Sequence, residues 1–258
     1  MRKSERMTFK GLRIFLLCIF LYVTGKPLPV NAQVIRKKTI EFYSSDSLLI
    51  TADHYFSNKN NPYILLFHQE NSSRGEFDSI ADRFVKMKYN CLVVDLRNGD
   101  KFAYTENHTA RRAKEKNFPT GLTTEHDIIA AIDFAGNLTE NKIILLGSSW
   151  SASLCLKVAS EDERIKAVMA FSPGEFLQPT YPLKKLFTRL QKPVYIAVSP
   201  QEYPYLRDAI DQMPEGSLSM ITPPEKSVAR GIPMLYSEHP GSDEYWLSVL
   251  IFIKSLRN

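Results

Sequence analysis

The stretch Gly147-Ser148-Ser149-Trp150-Ser151 joins an apolar run, Ile143 to Leu146, to a segment of helical spacing that begins at Ser151. A backbone turning sharply from strand into helix is crowded beside its apex, so small residues are needed two places before it and two after. Gly147 and Ser151 supply them, with Ser151 where the usual pattern has a second glycine. Ser149 then stands at the apex with its oxygen at a helix N-terminus, a placement suited to nucleophilic attack. A serine hydroxyl is a poor nucleophile without an adjacent base. The chain offers His54, His68, His108 and His126 before Ser149 and His239 after it. No cysteine-histidine cluster, phosphate loop or dinucleotide fingerprint accompanies them, so neither a metal nor a cofactor is implied.

The elements that must position this turn form an alternation. Thr39 to Tyr43 and Leu48 to Tyr55 read as a strand pair joined at Ser44-Ser45-Asp46-Ser47. "PYILLFH", "CLVVDLR", "KIILLG", "IKAVMAFS", "PVYIAVS" and "LSMIT" read as further strands. Between them "FDSIADRFVKMK", "TTEHDIIAAIDFAGN", the run from Ser151, the region from Tyr203 to Gln212 and "SDEYWLSVLIFIKSL" have helical spacing. Such a series predicts an α/β fold: a mostly parallel twisted sheet with an N-terminal antiparallel hairpin and helices on both faces. Ligands collect at the carboxyl ends of the strands in such sheets, which is where Ser149 falls. Cys91 and Cys155 lie inside apolar runs and read as buried core thiols, as Trp246 and Tyr245 read as packing residues.

In element order and in the motifs "LLFHQENSSRGEF", "NCLVVDLRNGD", "LLGSSWSAS", "FSPGEF" and "PVYIAVSPQE", the chain resembles the α/β-hydrolase superfamily, and more narrowly its small, lidless dienelactone-hydrolase-like and esterase-like members. The resemblance implies Ser149 as nucleophile and Glu202 as the acid of a triad, with Glu175 as the alternative acid. It implies an oxyanion hole from the backbone N–H groups of Trp150 and Glu70, with Gln69 as the alternative to Glu70, and gives His68 the part of organising that loop. His239, the only histidine downstream of Ser149, lies on the loop before the last helix, where the fold's base belongs. The family's loop often reads His-Gly, however, and here Arg230-Gly231 opens that region while His239 is followed by Pro240.

Two functions therefore stand open. One is an exported serine hydrolase that cleaves a small ester through an acyl-enzyme on Ser149. The other is a non-catalytic binding protein of the same fold, with Arg230 in the histidine's place. The short segment between Phe171 and Pro193 leaves little material for a lid, so an open site and short or soluble esters are expected.

Residues 1–32 read as a signal peptide: a basic start, apolar residues from Ile14 to Val23, and Val30-Asn31-Ala32 before a cleavage point. Export to the periplasm or the medium follows, leaving one domain over residues 33–258. The full chain has 33 basic and 28 acidic residues; the leader takes six and one, so 27 of each remain. A near-neutral mature chain gives no electrostatic case for nucleic acid, and once the leader is gone none for a membrane. Oligomeric state is left open. The basic run "HTARRAKEK" reads as a solvated face, and Asn107-His108-Thr109 and Asn137-Leu138-Thr139 match a glycosylation pattern that has meaning only in a eukaryotic secretory pathway.

Overall fold

Apolar runs too short for helices build the centre of the sheet. In the computed structural model, which describes residues 35–213, 218–220 and 228–256, they are β3 (Tyr63–Phe67), β4 (Asn90–Val94), β5 (Ile143–Ser148), β6 (Ile165–Phe171) and β7 (Val194–Ala197). All lie parallel to one another and are buried almost throughout. The hairpin β1 (Arg36–Tyr43) and β2 (Leu49–Phe56) is antiparallel, with Phe42 opposite Ile50, and β2 joins β4 antiparallel. β8 (Leu218–Met220) closes the order β1-β2-β4-β3-β5-β6-β7-β8. Residues 1–32, read above as a signal peptide, and the expected cleavage point lie outside the described residues.

Side chains alternate between two cores. Leu65 and Phe67 face one, packed by α3 (Glu125–Gly136) and α4 (Trp150–Glu161). Ile64 and Leu66 face the other, packed by α1 (Asp78–Lys86) and the terminal α7 (Ser242–Ser255). Each fully buried leucine or isoleucine contributes about 1.5–3 kcal/mol, so the sheet is the rigid body from which the loops are hung. Cys91 and Cys155 are buried free thiols, and Trp246 is held in the second core by its indole N–H to Leu235 O. No helix among the described residues is long and apolar enough to cross a membrane.

Two helices were not foreseen from the sequence. The basic run forms α2 (His108–Glu115), in which only Thr109 and Ala113 are buried, too few for an apolar period to register. Asn107 caps it by accepting the Ala110 N–H, while its amide nitrogen reaches Ser72 O and Leu96 O. Asn107 is thus a buried structural residue, its amide nitrogen already engaged. The segment after β6 holds α5 (Leu183–Arg189), whose first N–H, that of Leu183, is taken by the Glu175 carboxylate. The helix α6 (Tyr203–Ile210) follows β7.

Candidate active site

β5 runs into α4 through Ser149, whose φ of 55° and ψ of −118° put a non-glycine residue in left-handed space. Such a conformation costs on the order of 1–3 kcal/mol and persists only when its surroundings enforce it. Gly147 is one enforcer: a Cβ there would come within 2.6 Å of Ala152 Cα and Ser151 O. Ser151 is the other, and it does more than stay small. Its Oγ accepts the Ser148 N–H at 3.0 Å and lies 2.7 Å from Phe67 O, tying the turn to the end of β3. A glycine at this place would leave both groups without that partner. Because the atoms a Cβ at Gly147 would strike are backbone, Gly147→Ala should lower stability by about 3 kcal/mol, the upper part of the range for overpacking; a denaturation midpoint equal to the parent's would contradict this.

Loop 68–71 faces the turn. His68 is fully buried, and its Nε2 accepts the Leu96 N–H at 2.8 Å, which leaves the proton on Nδ1 to be donated to Gln69 O at 2.6 Å. Burial pushes its pKa down to about 4, so it is a neutral peg that fixes the loop to the end of β4. The Gln69 N–H is already taken by Glu76 Oε2 at 3.0 Å, which removes it as an oxyanion donor. The N–H groups of Glu70 and of Trp150, the first residue of α4, have no acceptor among the described residues.

Glu202 lies just after β7. Its Oε2 accepts from Ser172 Oγ, Ser199 Oγ and the Ser199 N–H, each at 2.9 Å. Its Oε1 faces Arg230, with Nε at 3.6 Å. The next two residues pin that segment over the elbow: the Gly231 N–H donates to Ser172 Oγ at 2.8 Å and the Ile232 N–H to Ser148 Oγ at 3.0 Å. Gly231 has φ of 63°, and a Cβ on it would stand 2.5 Å from Ser148 Oγ, so glycine is needed for the approach. His239 lies in the turn leading to α7, its N–H on Tyr236 O and its ring 6.2 Å from the Tyr236 ring. It makes no hydrogen bond to Ser149 or Glu202 among the described residues. The structure thus brings Glu202 together with Arg230, and places Glu175 at the start of α5.

Glu76, in the 3-10 turn Arg74–Phe77, had no sequence signal as a site residue. It is 1% exposed, with Oε1 3.5 Å from Ser148 Oγ, and burial pushes its carboxyl up to about 7. It could have been suspected only from a fold that sets this turn beside the elbow.

A sharp strand-to-helix turn with its serine at φ of 55°, an N–H-bearing loop after β3 and an acid after β7, on a sheet of this order, define an α/β-hydrolase. The profile of the dienelactone hydrolase family matches residues 50–217, and the chain belongs to that family. An esterase from Pyrococcus furiosus shares the fold at a TM-score of 0.65 and 15% identity, covering 90% of this chain and 96% of its own. A dienelactone hydrolase from Anabaena variabilis does so at 0.62 and 15%, covering 84% and 95%. An acetyl xylan esterase from a Paenibacillus species does so at 0.62 and 13%, covering 98% and 96%. No curated protein matches the chain. The family match includes Glu70, Ser149 and Glu202 and ends before Arg230 and His239.

Proposed function

We propose that the elbow site receives a small ester, or the acid such an ester contains, and that it does so without a general base. The observation that carries this reading is the Arg230–Glu202 pair. A triad acid orients the histidine by accepting its N–H. Here one oxygen of Glu202 accepts from two serines, and the other is paired at 3.6 Å with the guanidinium of Arg230, a side chain that is 66% exposed. A guanidinium has donors and no acceptor, so it cannot take the serine proton. The Ser149 hydroxyl and the Glu70 and Trp150 N–H groups would then hold an acyl oxygen, and turnover would be slow or absent. The parent chain is expected to hydrolyse p-nitrophenyl acetate no faster than its Ser149→Ala variant.

The second reading is an exported serine hydrolase: Ser149 attacks, His239 carries the proton, Glu202 orients it and an acyl-enzyme forms. Family membership favours it, since the family's named activity is ester hydrolysis. A Ser149-dependent rate that disappears in His239→Ala would establish this reading and remove the first. In both readings the site takes a small ester, in the first also the acid it contains, and works outside the cytoplasm, with Gln33 at the mature N-terminus. Mass spectrometry of protein from its native host should find that end; an intact residue 1–32 segment would defeat the export proposal.

A further inference from the structure

Three loops meet at Glu76. Its Oε2 holds the Gln69 N–H of the loop after β3, and its Oε1 approaches Ser148 Oγ at the elbow. Its carbonyl accepts the Tyr236 hydroxyl at 2.8 Å, and Ser148 Oγ in turn receives the Ile232 N–H. The 3-10 turn Arg74–Phe77 is therefore the common anchor of the candidate oxyanion loop, the elbow and the segment that carries Arg230. The Gln69 N–H is one residue before the Glu70 N–H, so whatever fixes the first sets the direction of the second.

We propose that Glu76 is the positioning residue of the elbow site: in its ionised form it holds Gln69 so that the Glu70 N–H is presented to Ser149, and protonation releases that hold. The polar atoms aimed at the carboxylate are donors, which favours the ionised form as the ordered one. Charge-assisted bonds of this kind are about twice as strong as neutral ones. Protonation gives the carboxyl a hydrogen to place. The enclosed Ser72 hydroxyl, which favours the ionised carboxylate, stands close enough to receive it, and the Gln69 bond weakens.

The charged and titratable groups around the turn leave Glu76 without a cation. Arg74 on its own turn is held by Asp53 and Asp95, and Arg230 from the opposite segment by Glu202. Tyr236 faces it as a neutral phenol, its pKa pushed up by burial and then by Glu76 itself. The carboxyl's raised pKa of about 7 follows from burial and puts the release within an accessible range.

The inference rests on the elbow being the ligand site, but its test reads the loop and not activity, so the two can fail separately. Amide exchange of Gln69, corrected for intrinsic rates, should show protection that falls on the order of tenfold from pH 8.5 to pH 5.5, with a midpoint near 7. In Glu76→Gln, which keeps the size but cannot ionise, the protection should not change with pH. Protection in the parent that is independent of pH would overturn the proposal, and this needs no variant to fold. The same fall in Glu76→Gln would also overturn it, because another group would then control the loop. An absence of ligand binding at Ser149 beside a titrating Gln69 amide would defeat the reading of the site and leave Glu76 as the loop's latch.

Discussion

Arg230→His is expected to raise p-nitrophenyl acetate hydrolysis by about a hundredfold or more over the parent chain, since a positioned base contributes 10²–10⁴-fold. The parts that such a histidine needs are present. Glu202 Oε1 faces position 230, while Oε2 is fixed by Ser172 and Ser199, so the free oxygen is the one turned to the new side chain. The Gly231 and Ile232 N–H groups pin the backbone at Ser172 and Ser148, directly under the elbow. An imidazole there could accept from Glu202 its orientation and from Ser149 its proton, whereas the guanidinium can do neither. The gain should vanish in the Ser149→Ala double variant and survive His239→Ala. A rate no higher than the parent's from a well-folded Arg230→His chain would contradict the placement of Arg230. Loss of the gained rate with His239→Ala would assign the proton transfer to His239 instead.

The largest stability effect should come from Asp127→Ala, which is expected to cost about 3–5 kcal/mol, the range for breaking a buried pair from one side. The side chains of Arg97 and Asp127 are both 0% exposed. Asp127 Oδ1 takes the Arg97 Nε at 3.0 Å and an Nη at 2.6 Å, and Oδ2 takes the Arg97 N–H at 2.8 Å. Asp46 holds the rest of the guanidinium from the β1–β2 turn. Removing Asp127 leaves an enclosed cation with Asp46 as its one carboxylate partner, and an unpaired backbone donor just after β4, next to the loop that His68 fixes. Urea denaturation reads the loss directly; a change below about 1 kcal/mol, the worth of an exposed pair, would show that the pair is not buried in solution.

Much of this architecture was legible because it is local. The continuous apolar runs that became β3, β4 and β5 have few other ways to be buried, and Gly147 and Ser151 flank Ser149 at the spacing that a sharp turn requires. The helix α2 escaped notice because its order comes from the Asn107 cap and from Arg112, which reaches Glu41, Thr51 Oγ1 and Leu49 O, and not from an apolar face. In the site, the sequence pointed to Glu70, Trp150 and Glu202 by their places in the element order. It left Arg230 and His239 as rivals, since the contacts that bear on the choice, such as that of residues 202 and 230, are made through space. Glu76 was invisible for the same reason: its contact with Ser148 spans 72 residues, and nothing in "SSRGEF" distinguishes a buried carboxyl from an exposed one.

The central claim, that Ser149 lacks a base because Arg230 stands where one would be, is tested most directly by the intact mass of the protein after incubation with a fluorophosphonate. The account predicts that the parent chain keeps its unmodified mass while Arg230→His gains one adduct, mapped to Ser149. One adduct per parent chain, lost in Ser149→Ala, would show an activated serine and contradict the account.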